Sequence, residues 1–64
     1  MITVNGQSLD FAGNTVAQLV EQQGYDPVKV AVERNLEIVP KSAYASTILH
    51  DGDSVEIVSF VGGG

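Results

Sequence analysis

The sequence predicts a small α+β roll, a mixed sheet of four or five strands packed on one main helix. Three observations lead there. Asn5-Gly6 separates two short stretches of alternating apolar and polar residues, the strongest local signal for a hairpin. Thr15-x-x-Gln18 then opens a segment with apolar residues at helical spacing that stops at Gly24. Further alternating stretches follow, and the longest, Ser54 to Val61, leads into three consecutive glycines.

In the first hairpin Ile2, Val4, Leu9 and Phe11 line one face, with Thr3, Ser8 and Asp10 on the other. Ala12-Gly13-Asn14 breaks the strand. Thr15 and Gln18 read as a capping box. Val16, Leu19 and Val20 form the apolar stripe of a helix of about two to three turns, and Gln18, Glu21 and Gln22 face water. Gly24 suits the left-handed position that ends a helix, with Tyr25 packing back on Val20.

Asp26-Pro27 is a turn, and Val28, Val30 and Val32 alternate with Lys29, Ala31 and Glu33 in a third strand. Asn35 marks another turn, before a short strand Glu37-Ile38-Val39 stopped by Pro40. One helical turn carrying Tyr44 is expected between Lys41 and Ser46, then a connecting loop with Ile48 and Leu49. After the Asp51-Gly52-Asp53 turn, the last strand puts Val55 and Ile57 on one face and Val58 and Phe60 on the other. The expected core is Ile2, Val4, Leu9, Val16, Leu19, Val20, Val30, Val32, Val55 and Ile57. A domain of residues 1–61 is expected to carry a flexible glycine tail, 62–64.

Composition removes several function classes. A chain of 64 residues leaves little room for a walled active-site cavity. Without cysteine there is no disulfide, catalytic thiol or thiolate zinc site, and one histidine excludes a multi-histidine metal site. The net charge of -5 disfavours nucleic acid and anionic membrane surfaces. No apolar run approaches the length of a membrane span, and no signal peptide is recognisable, so a cytoplasmic location is expected.

The side chains hold no persuasive catalytic set. His50 beside Asp51, with Ser54 nearby, invites an acid–base reading, but a turn ahead of a strand has no wall to exclude water. Asp51-Gly52-Asp53 resembles a fragment of a calcium loop, but the further ligands of such a loop are missing at their offsets. Two features resist a purely structural reading. One helix covers one sheet face, so Val58 and Phe60 are left on the other, near Ala31, as a candidate docking surface. The glycine run reads either as a frayed end or as a side-chain-free terminus that threads a narrow channel. In the second reading Gly62 and Gly63 thread a partner's active site and the carboxylate of Gly64 is the reactive group.

Taken in order, Met-Ile-Thr-Val-Asn-Gly at the start, Thr15-Val16-x-x-Leu19-Val20, Asn35, Glu37-Ile38-Val39-Pro40-Lys41, Asp51-Gly52-Asp53, Val55-Glu56-Ile57-Val58 and the final glycines resemble the ThiS family of sulfur carriers. That resemblance implies a ubiquitin-like β-grasp, with the last strand beside the first. It implies a carrier in thiamin biosynthesis rather than an enzyme. A ThiF-type adenylating enzyme would use ATP and magnesium to activate Gly64, and a donor such as a cysteine desulfurase would supply sulfur. The resulting thiocarboxylate would go to thiazole synthase. A MoaD-like carrier for molybdopterin, sulfur delivery to tRNA or another biosynthetic enzyme, and an interaction module with an inert tail are the alternative readings.

Overall fold

The computed structural model describes residues 1–60. Five strands, β1 (Ile2–Val4), β2 (Gln7–Leu9), β3 (Val30–Arg34), β4 (Glu37–Val39) and β5 (Ser54–Ser59), form one sheet in the order β2-β1-β5-β3-β4. β5 lies parallel to β1 and antiparallel to β3, so the last strand sits at the centre of the sheet, beside the first. One helix, α1 (Val16–Gln22), covers one face. This mixed sheet grasping a single helix is the ubiquitin-like β-grasp.

The predicted hairpin forms on Asn5 and Gly6, both at positive φ (48° and 83°), as a type I′ turn requires. The β3–β4 hairpin turns the same way on Asn35 and Leu36, at 51° and 70°. In α1 the capping box is complete: Thr15 Oγ1 accepts from the Gln18 N–H, and Gln18 Oε1 accepts from the Thr15 N–H. The far end closes as a Schellman motif, with Gly24 N–H donating to Glu21 and Tyr25 N–H to Val20.

The loop after β4 completes the helix N-terminus. Val16 N–H donates to the Thr47 carbonyl and Ala17 N–H to that of Tyr44, so the first donors of the helix have partners. This strapping carries Tyr44 and Leu49 into the core. Tyr44 follows a 3₁₀ turn at Lys41–Ala43, in agreement with the expected helical turn. Burial of the Tyr44 ring raises the pKa of its phenol.

The core contains nine of the ten expected residues as buried side chains, together with Val39, Tyr44 and Leu49. Three expectations need correction. Leu9 is only partly buried, because β2 is the outer strand and its pairing stops there. Phe11, expected to prolong that strand, lies beyond it and is also half-buried. Val28 is 74% exposed: Asp26 caps a 3₁₀ turn, Pro27–Lys29, and β3 begins only at Val30. β5 itself runs to Ser59, so the expected strand through Val61 reaches outside the described residues.

Candidate functional site

The register of β5 sorts its side chains. Val55 and Ile57 point under α1, whereas Val58 and Phe60 stand on the open face, 56% and 53% exposed. Ala31 of β3 lies directly across from Val58, as expected. Ile38 of β4, paired with Glu33, belongs to the same face and is 74% exposed. An apolar surface therefore spans three adjacent strands, and Ile38 is a member that the sequence reading missed. Its place between Glu37 and Val39 in an alternating strand was the available signal, since burial of Val39 obliges Ile38 to face outward.

Phe60 is also the point from which the chain leaves the sheet. Its N–H donates to the Lys29 carbonyl (2.7 Å), prolonging the β3–β5 pairing past the end of β5. The expected threading residues Gly62 and Gly63 and the expected reactive residue Gly64 lie outside the described residues.

The other sequence candidates are engaged in holding the fold. Asp53 is buried, and its Oδ2 accepts from the His50 N–H while its Oδ1 accepts from Asn35 Nδ2. Arg34 Nε lies 3.1 Å from Oδ2 as an ion pair, although it is not aligned as a hydrogen bond. Burial alone would raise the Asp53 pKa. The His50 and Asn35 donors and the Arg34 charge outweigh it and hold the carboxyl below its ordinary value. Asn35 Oδ1 in turn accepts from the Ser54 N–H, fastening the β3–β4 turn to the start of β5. Asp51 instead pairs with the Met1 ammonium group. The His50–Asp51–Ser54 stretch thus forms a structural turn, with Asp53 as its buried latch.

Two surface grooves lie elsewhere. The larger, about 400 Å³, runs between α1 and the two 3₁₀ turns past Tyr25, Pro27, Val28 and Tyr44. The smaller, about 230 Å³, lies beside the β3–β4 turn. Neither is lined by Val58 or Phe60. Among the described residues no helix is long and apolar enough to cross a membrane.

Comparison with known proteins places this geometry. The model of the ThiS family matches residues 2–64. The sulfur carrier protein ThiS of Bacillus subtilis is 38% identical over 66 residues, which cover the whole of both chains. A thiazole synthase of Paramagnetospirillum magneticum is 53% identical over 64 residues, 98% of this chain but 20% of that protein. The chain thus spans about a fifth of the length of that relative, and likewise of a thiazole synthase from Magnetococcus marinus. Among solved structures, the crystal structure of a thiamine biosynthesis protein (ThiS) from Geobacter metallireducens superposes with a TM-score of 0.78 at 36% identity. That match covers 98% of this chain and 97% of the other.

Proposed function

The chain belongs to the ThiS family, and from that membership we propose that it is a sulfur carrier of thiamin biosynthesis whose reactive group is the carboxylate of Gly64. In the first step a carboxylate oxygen attacks the α-phosphorus of ATP, held with magnesium by a ThiF-type enzyme, and pyrophosphate leaves. The acyl-adenylate carbon is then electrophilic. A sulfur nucleophile such as hydrosulfide, mobilised by a donor of the cysteine desulfurase type, adds to it and expels AMP, leaving a thiocarboxylate. Thiazole synthase is the proposed acceptor. The presence of a matching stretch within proteins of that name supports this assignment.

The observation that carries the reading is the continuity of β5 with the chain end. β5 bears the exposed Val58 and leads directly into the exposed Phe60, and one residue, Val61, stands between Phe60 and the glycine run. Docking through that face fixes where the carboxylate can be delivered. Gly64 lies four residues beyond Phe60, a span of at most about 13–14 Å when fully extended. The partner's reacting phosphate must lie within that distance of Phe60. Glycine suits a threaded segment because no side chain obstructs the channel. Ordering each residue there costs about 1–2 kcal/mol of backbone entropy, which contacts at Val58 and Phe60 offset. The negative charge of the chain favours capture by a basic partner surface and acts mainly on the association rate.

Intact-mass measurement tests the proposal. Incubation with a ThiF-type adenylating enzyme, ATP, magnesium and sulfide should shift the chain by one oxygen-to-sulfur exchange, with the gain confined to the C-terminal fragment. An unchanged mass would contradict it.

A further inference from the structure

The pairing of β3 with β5 sets Glu33 directly opposite Glu56. Both lie on the open face, since their neighbours in alternation, Val32 and Ile57, are buried. Directly opposite positions hold their Cβ atoms roughly 4.5–5.5 Å apart, and like charges placed so destabilise a sheet. Among the described residues no cation forms an ion pair with either of them. Among the described residues the ion pairs are Met1 with Asp51 and Arg34 with Asp53. The Lys41 ammonium donates to the Val30 carbonyl. Arg34 stands across from Val55 and so belongs to the opposite face.

Apolar groups flank the two carboxylates on two sides. Ile38 stands across from Glu33 on the other side, and the Ala31–Val58 pair forms the next row of the same face. We propose that Glu33 and Glu56 together seat one arginine of the protein that docks on this face, and that Val58 and Ile38 pack against the sides of its guanidinium. The inference rests on the carrier reading and adds the chemistry by which the docking partner is recognised.

Arginine fits because its planar fork can donate to two carboxylates at once while its faces accept apolar contact. A lysine ammonium is a compact, strongly hydrated point charge and makes poorer use of a seat walled by Val58 and Ile38. A calcium ion asks for six to eight oxygen ligands, and among the described residues no group of three His, Asp or Glu assembles. In the free carrier the opposed carboxylates repel. Docking removes that repulsion, and a partner with an acidic residue at the same place is rejected by it.

The test uses the full chain and the ThiF-type adenylating enzyme from the same genome. Dissociation constants are measured at low and moderate salt for the wild type, Glu33→Gln, Glu56→Gln and the double variant. Each single variant should weaken binding by about tenfold at low salt, one charge-assisted contact's worth. The double variant should fall short of the product of the single losses, because both carboxylates share one guanidinium. Melting temperatures should stay level or rise, since each substitution removes a repulsion. Wild-type affinity in both single variants would overturn the inference, as would affinity losses that track losses of stability. If the wild type is adenylated normally while those variants bind unchanged, the arginine seat falls and the carrier reading stands. If the wild type neither binds nor releases pyrophosphate, both fall.

Discussion

Asn5 and Ile57 exchange two hydrogen bonds across 52 residues of chain: Ile57 N–H donates to Asn5 Oδ1 (2.8 Å), and Asn5 Nδ2 donates to the Ile57 carbonyl (3.2 Å). With the Asn5 N–H on the Val55 carbonyl, the side-chain amide continues the β1–β5 ladder after the β1 backbone has turned away. Asn5 therefore has two duties, the left-handed φ of the turn and the last rung beside the central strand. Asn5→Ala should cost about 1–3 kcal/mol, because two part-buried backbone groups lose their partners and alanine tolerates positive φ less well than asparagine. Urea unfolding measures this, and a stability equal to the wild type would show that water replaces the amide without loss.

The second hairpin gives the opposite expectation. Leu36 holds φ of 70° with its side chain almost wholly exposed. A branched residue is strained there, and Asn-Gly is the preferred pair for such a turn. Leu36→Gly should stabilise the fold by up to about 1 kcal/mol, the relief of strain less the entropy glycine loses on folding. A fall in melting temperature would mean that the leucine packs on the sheet rim in solution.

Asp53 should contribute to the acid limit of stability. Its folded pKa lies below the unfolded value of about 3.9, so its contribution is complete above that value. The contribution is lost as pH falls from there through the folded pKa, when the carboxylate that holds His50, Asn35 and Arg34 takes a proton. Asp53→Asn should be less stable at pH 7 by about 1–3 kcal/mol and should show a flatter decline in acid. Parallel acid profiles for the two proteins would assign the acid limit to other carboxylates.

Val58→Ser and Phe60→Ser test the open face without disturbing the core. Both side chains are more than half exposed, so stability should change by roughly 0.5 kcal/mol or less. Affinity for the adenylating enzyme should drop in each. Full affinity in both would remove the open face as the docking surface.

Much of this architecture was legible in local signals. Asn5-Gly6, the Thr15–Gln18 box and Gly24 each specify a backbone conformation by themselves, and all three form where the sequence put them. The alternation in Ser54 to Phe60 also sorted the two faces of β5 correctly. The misses depend on partners remote in sequence. Leu49 and Tyr44 are core because the carbonyls of Tyr44 and Thr47 cap a helix nearly 30 residues earlier, and no local period announces that. Val28 has strand-like alternation, but the Asp26 side chain bonds its N–H and Pro27 fixes the preceding φ, so the local turn prevails over the pattern. Val58 and Phe60 were legible as a surface because one helix cannot cover two faces. The Glu33–Glu56 opposition was not, because it depends on the register between β3 and β5.

The central claim is that this chain reacts through the carboxylate of Gly64. One alanine appended after Gly64 leaves the open face unchanged and moves the carboxylate by one residue, roughly 3.3–3.6 Å. Acyl-adenylate formation depends on close placement of the attacking oxygen, so such a shift removes most of the rate. Pyrophosphate release by the adenylating enzyme, measured alongside its affinity for the extended chain, is the most direct test. The extended chain should bind near-normally and release no pyrophosphate. Release at the wild-type rate with the added alanine intact would contradict it.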